Sequence, residues 1–383
     1  MESRAGSPGV NRPGGHIPVI VSFNIGSTSV KFSIHQICSG SPKDVGSGTI
    51  EKKQRESTFS FDYVDKQRAA IHNRPLGVSV PEAVGRLAAE EGVLSAIGHR
   101  LVHGGPWVRD HLELRPSVIA LLKKAVPLAP LHLPPALDLI DECIKAFPEV
   151  PQVGCLDTTF HQHLPAAAAT LPLPKAMRDL GIRRYGFHGL SCESIVHQLH
   201  AKAVRRLVVA HLGGGSSVTA IENGHSVDTS MALTPMGGVI MSRRSGDLDP
   251  GILLYLLREK HYDLAELEAA LEHNAGLSGL TATNGDLRVV QAAADSGDAD
   301  ASLALEIYAR STAKQIAGAI VVLGGVDRLV FTGGVGEHAS GVVDRIREQV
   351  SPLIGTAAIH VMPSFENERI AFHTMTITDG SRN

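Results

Sequence analysis

The stretch "SFNIGSTSVKFSI", residues 22–34, gathers Asn24, Gly26, Ser27, Thr28 and Ser29 at a hairpin tip and sets Lys31 just beyond it. Small hydroxyls, an amide and an ammonium can hold phosphate oxygens, because backbone N–H groups come close to a ligand where side chains are small. Asn, Gly and Ser also dominate ordinary turns. The chemistry returns at "LVVAHLGGGSSVTAI", residues 207–221, where an apolar run leads into Gly213, Gly214, Gly215, Ser216 and Ser217. Two such tips facing each other would make a phosphate clamp between two domains. A third cluster, "RLVFTGGVGEHAS", carries Gly333, Gly334 and Gly336 after a strand-like run. Its Gly-x-Gly-x-x-Ala spacing matches a loose dinucleotide fingerprint, but it lies outside the first βαβ unit and lacks an acidic residue about 20 positions on. No GxxxxGK[ST] occurs, so a P-loop is excluded. The cluster reads as a glycine turn where a nucleotide can lie against backbone.

Single charged groups stand at loop ends. In "SRRSGDLDPGILLYLLREK", Asp249 is a good N-cap and Pro250 a good first-turn residue, so Arg244 lies in the loop that feeds a helix. It is either a surface arginine paired with Asp247 or a guanidinium aimed at a carboxylate or phosphate. Arg100 comes late in a strand, with glycines beyond it. His188, in "RRYGFHGLS", sits just before Ser191, which reads as the cap of the next helix. Asp157 ends an apolar strand, where a carboxylate holds a cation or caps a turn. Glu366, in "MPSFENERIA", is the least marked. His99 and His103 stand four apart, but in a strand-like segment without an acidic partner at metal spacing.

These groups need α/β domains to position them. Strands are expected near 18–23, 30–37, 96–102, 207–212, 218–222 and 328–332, and "PQVGCL" adds another ending at Asp157. Helical periodicity covers 81–91, 116–125, 135–147, 191–203, 250–259, 263–273 and 301–324. Hairpins first and βα units later, twice over, make a mixed sheet in each half. The 383 residues suggest two or three domains, and the 43% hydrophobic content can build sizeable cores. A formal charge of −3 excludes a global field for nucleic acid or anionic membrane. No apolar run reaches the ~20 residues that span a bilayer. Residues 1–16 are polar and read as a flexible leader without a secretory core. Four cysteines without CxxC spacing fit the cytoplasm and no zinc site.

Together the stretches "NIGSTSVKFS", "HRLVHGG", "PLAPLHLP", "LDTTFH", "RRYGFHG", "HLGGGSSV", "DTSMALTP", "RSGDLDP" and "FTGGVGE" resemble the acetate kinase family, the short-chain carboxylate kinases. They run in family order over residues 24–337. The resemblance implies the actin-like ATPase superfamily fold, two ribonuclease-H-like α/β domains around a nucleotide cleft. Residues 17–157 plus 372–383 would form the first domain and 158–371 the second, which would also join a homodimer. The reaction implied is reversible, magnesium-dependent transfer from ATP to acetate, giving acetyl phosphate and ADP, with Mn2+ as the substitute ion.

Residue by residue, Ser27, Ser29 and Lys31 match the family's phosphate-side loop, and Asn24 and Glu366 its metal-side residues. Arg100 and Arg244 match the arginines that hold carboxylate and the passing phosphoryl group. His188 matches the transition-state histidine, His132 its neighbour, and Asp157 the acidic residue at the reaction centre. Val102, Leu131, Phe187 and Pro235 match the pocket for the methyl group, and Val102, two residues after Arg100, is expected on the same strand face. His211, Leu212 and Gly213 to Gly215 match one nucleotide segment. Asp286, Leu287 and Arg288 match a second. Gly334, Val335, Gly336, Glu337 and His338 match a third.

The chain departs from the family pattern at four places. Gly214 and His338 stand where asparagine is usual, Gly237 where glutamate is usual, and Phe365 where asparagine precedes the metal-side glutamate. The changes cluster on the phosphate and nucleotide side and leave the acyl side intact. A propionate or butyrate kinase is the rival within the class. A nucleotide-driven binding module of the same superfamily is the rival outside it, and Arg100, Arg244 and His188 speak against that, since a nucleotide switch needs no clamp for a second substrate.

Overall fold

The computed structural model describes residues 17–26, 29–51, 57–200 and 204–380. The expected leader, 1–16, lies outside the described residues, as do 381–383.

Two mixed sheets organise the chain. The first is built from β1 (Pro18–Ile25), β2 (Ser29–Cys38), β3 (Ser41–Glu51), β4 (Thr58–Tyr63), β5 (Ile71–Pro75), β6 (Val93–Leu101), β7 (Leu112–Glu113) and β8 (Gln152–Leu156). Its order is β5-β4-β3-β2-β1-β6-β8-β7. The second comprises β9 (Arg206–Leu212), β10 (Ser216–Glu222), β11 (His225–Thr229), β12 (Arg328–Thr332) and β13 (Ala358–Val361), in the order β11-β10-β9-β12-β13. The centres of the two sheets repeat one plan. β3-β2-β1 are antiparallel and β1-β6-β8 parallel; β11-β10-β9 are antiparallel and β9-β12-β13 parallel.

β2 is covered on both faces along its middle, with Ser33 and His35 buried opposite the apolar side chains. In β2, Val30, Phe32 and Ile34 are buried, and Phe32 stacks on Phe61 with ring centroids 5.5 Å apart. The central strands β1 and β9 are covered on both faces and read as continuous apolar runs. The helix Ala299–Leu323 covers the second sheet with a stripe that includes Ala301, Leu305, Tyr308 and Ile316. The last helix, Glu366–Gly380, returns to the first sheet, packing on β1, β6 and β8.

Several expectations change. β3, β4 and β5 were not legible, because their residues include exposed Ser, Lys and Asp and the strands lie toward the sheet edge. β6 ends at Leu101, so Val102 lies beyond the strand and the same-face argument with Arg100 does not apply. The third glycine cluster is a short helix, Gly333–His338, rather than an open turn, and Gly333, at φ 78°, makes the bend from β12 into it. The expected 191–203 helix spans Gly189–Gln198; Ser191 does not cap it, since His188 in a left-handed conformation, φ 58°, is the capping residue.

Candidate active site

The expected first hairpin tip brings Asn24 to the end of β1, and Ser29 and Lys31 to the start of β2. Ser27 lies outside the described residues. Asn24 makes two contacts there. Its Nδ2 donates to Glu366 Oε2 at 2.8 Å, and its Oδ1 accepts from Arg100 Nη1 at 3.1 Å. β6 lies parallel to both β1 and β8, which aims Arg100 at the end of the sheet beside Asp157. Arg100 Nε donates to both oxygens of Asp157 at 3.1 Å, and Nη2 reaches Oδ2 at 2.5 Å. The Asp157 side chain is 1% exposed. Burial opposes the charge on Arg100, but Asp157 and Glu366 together hold its pKa above the ordinary guanidinium value. Burial pushes Asp157 up against the pull of that arginine.

His188 is placed by its backbone. The left-handed turn at φ 58° swings the chain into the Gly189–Gln198 helix and sets the ring over His211, with centroids 4.1 Å apart and planes 20° from parallel. Its Nδ1 lies 2.9 Å from Ser217 Oγ. Ser191 Oγ lies 2.8 Å from His211 Nδ1. Burial, then the neighbouring His211, Arg100 and Arg244, hold the His188 pKa well below 6.5. Burial lowers His211 as well, with Glu366 opposing and Arg100 and Lys31 assisting.

Arg244 does not pair with Asp247, whose oxygens accept from Gly238 N–H and Gln315 instead. Arg244 Nη1 donates to the Pro235 carbonyl at 3.1 Å and Nη2 to His132 Nε2 at 2.9 Å. Burial and the charges of Arg244 and Arg100 depress His132 to about 3, so it accepts as a neutral ring. Gly215 brings these groups together: a Cβ there would lie 3.3 Å from His188 Nε2 and 3.8 Å from Arg244 Nη1.

The expected pocket residues divide. Leu131 and Pro235 line a recess with His132, Arg244 and Glu272. Val102 and Phe187 are buried in the core, 7% and 1% exposed. On the nucleotide side, the absent Cβ of Gly333 would meet His211 Nε2 at 3.1 Å and the Leu212 carbonyl at 2.6 Å, so "HLGGG" and the Gly333–His338 helix abut only because glycine stands there. Leu212 is core and pairs with Ser216 in the β9–β10 ladder, while Gly214 faces open space. Gly334, Val335, Gly336 and His338 belong to the short helix, whose Glu337 accepts from Gly333 N–H. Asp286 caps the helix Leu287–Asp295 and pairs with the exposed Arg288; Leu287 is core. Neither Asp286 nor Arg288 shares a hydrogen bond with the central cluster among the described residues. Glu272 was not singled out by sequence reasoning. Ser217 was visible in the second Gly-Ser tip, but Glu272 sits in an ordinary amphipathic helix and carried no signal.

The acetokinase family profile matches residues 19–367. The acetate kinase of Rhodopseudomonas palustris (strain ATCC BAA-98 / CGA009) is 35% identical, over 95% of this chain and 99% of that protein. That of Dichelobacter nodosus is 37% identical, over 87% and 86%. Among solved structures, a propionate kinase from Francisella tularensis superposes with a TM-score of 0.83 at 31% identity, covering 94% of this chain and 100% of that one. The Porphyromonas gingivalis acetate kinase superposes with 0.78 at 30%, with the same coverage. The fold is therefore that of the actin-like ATPases, and with a repeated mixed sheet, a matching profile and full-length relatives, this chain belongs to the acetokinase family of carboxylate kinases.

Proposed function

We propose that the protein is an acetate kinase, transferring the terminal phosphoryl group of ATP to acetate in one reversible in-line step. The observation that carries this reading is the meeting of His188, Arg244 and the Gly215 backbone around one point. A carboxylate is already ionised at neutral pH, so no strong base is needed. Transfer requires placement and stabilisation of charge on the equatorial oxygens.

The residues divide that task. Asp157 and Asn24 occupy three N–H groups of Arg100, locking its plane and leaving two for a ligand oxygen. Arg244, anchored on Pro235 and His132, supplies the opposing guanidinium. With the Ser217 hydroxyl donating to Nδ1, neutral His188 keeps its proton on Nε2 and donates it toward the transferred group. The Gly213–Gly215 backbone and the Gly333–His338 helix border the nucleotide.

Asn24 and Glu366 would hold a divalent cation, Mg2+ or Mn2+. Glu366 offers carboxylate oxygens, the donors a hard ion takes; the Asn24 amide, whose N–H faces Glu366 and whose oxygen accepts from Arg100, would turn to offer its oxygen. Such an ion, when bound, neutralises phosphate charge.

Two further parts belong to the proposal. The helix Pro250–Arg258 has no buried residue although it reads "PGILLYLLR"; with Ile252, Leu254 and Tyr255 exposed, it is the face a second copy would cover in a homodimer. No helix of the described residues is long and apolar enough to cross a membrane, and the four cysteines are free thiols, which supports a cytoplasmic setting. Propionate is the second reading, favoured by the likeness to the Francisella propionate kinase.

The test incubates protein, Mg-ATP and a panel of short carboxylates with hydroxylamine. Acyl hydroxamate, greatest with acetate, is expected. Nucleotide binding without product from any acid would favour a binding module instead.

A further inference from the structure

Away from the reacting groups, Glu193, His373, Arg369 and His111 form one cluster. Glu193 lies on the Gly189–Gln198 helix, Arg369 and His373 on the Glu366–Gly380 helix, and His111 on the loop before β7. Arg369 Nη2 donates to Glu193 Oε1 at 2.7 Å, and His373 Nε2 lies 2.9 and 2.8 Å from its two oxygens. The His111 ring lies 4.0 Å from that of His373. The Arg369 side chain is 7% exposed and that of Glu193 23%.

Two histidines and a glutamate within 4.8 Å are also a metal-ligand set. The hydrogen bonds argue against it. His111 Nδ1 accepts the Leu156 N–H at 3.0 Å, which places its proton on Nε2. A ligating imidazole shows the opposite polarity, donating its second N–H outward. The Arg369 guanidinium already neutralises Glu193.

The two helices joined here start at the site. One begins directly after His188 and carries Ser191, which holds His211. The other begins at Glu366, the partner of Asn24. Arg369 and His373 stand four residues apart and so share one face of their helix. We propose that Glu193 is a positioning residue: by clasping Arg369 and His373 it fixes the spacing between His188, on the phosphoryl side, and Glu366, on the metal side. This rests on the roles assigned above to those two residues.

Glu193→Gln keeps the shape and removes the charge. Its expected effect is a kcat about 10-fold lower and a weaker affinity for Mn2+ with ADP, with KM for acetate changed less than about two-fold. Arg369→Met should do the same, and the double variant should be no worse than either single one. Amide exchange at residues 366–370 should quicken in each variant while that of β1 and β6 stays as in wild type. A clasp that only stabilises would lower Tm and leave kcat, Mn2+ affinity and local exchange unchanged; that result overturns the proposal. Tight retention of zinc by the wild-type cluster overturns it as well. If wild-type protein makes no acyl phosphate, the roles of His188 and Glu366 fail, and exchange at 366–370 still decides whether the clasp exists.

Discussion

Asn24 and Glu366 stand 342 positions apart in the chain and touch through a 2.8 Å hydrogen bond at the end of β1. The contact exists because the last helix packs back on β1 and β6 and points its first residue at the hairpin. Arg100 joins from the neighbouring strand, so one amide side chain ties a carboxylate to a guanidinium.

Glu366→Gln keeps the size of the side chain and removes its charge. Activity should fall by about 10²-fold, the scale of one lost charge-stabilising group, and the divalent ion needed for half-maximal rate should rise. Titration of MgCl2 at fixed ATP checks both. Unchanged metal dependence would remove Glu366 from the cation site.

Arg244→Ala should lower kcat by at least about 10²–10³-fold while ATP binding stays within a few-fold. The guanidinium is anchored at both ends and faces His188 across Gly215, so its loss empties the phosphoryl side alone. Steady-state kinetics beside nucleotide calorimetry separate the two. A near-normal kcat would refute the role.

Gly214→Asn restores the amide usual in the family. A Cβ at Gly214 meets nothing within 4 Å, so the loop can accept the side chain. Activity should persist or rise, since the amide adds a donor toward phosphate. Complete loss in a folded variant would show a loop rebuilt around glycine.

Acetate should be preferred over propionate by about 10-fold or more, the worth of one methylene in an apolar pocket. Leu131→Ala, on the recess beside Pro235 and Arg244, should narrow that ratio of kcat/KM. Val102→Ala, in the core rather than on the recess, should lower thermal stability and leave that ratio nearly unchanged. Kinetics with both acids decide; a wild type that prefers butyrate would overturn the acetate assignment.

Acid should destabilise the fold. Burial lowers His35 and His99 from 6.5 to about 4. Below pH 6.5 the unfolded chain takes up protons that these rings refuse, so stability falls as pH drops from 6.5 to 4. Each such shift corresponds to about 3 kcal/mol once pH is below the folded value. Urea midpoints between pH 7 and 4 should decline, and His99→Gln should flatten the decline.

Local chemistry alone determined much of this protein. Apolar runs and alternation marked the central strands, Asp249 and Pro250 marked a helix start that folds as expected, and glycines marked the tips. Motif order was enough to show the family resemblance. Tertiary structure decided the rest. β3 to β5 carry polar residues and exist because β2 offers an edge to pair with, a long-range energy that no local pattern reports. His188 stands at the start of its helix in a left-handed turn, without a side-chain cap bond, where its ring stacks on His211, and the helix begins early enough that Ser191 lies inside it and reaches that same ring. Glu366 was nearly silent in sequence because its meaning lies in a partner at the other end of the chain, brought to it only when the last helix packs on the first sheet.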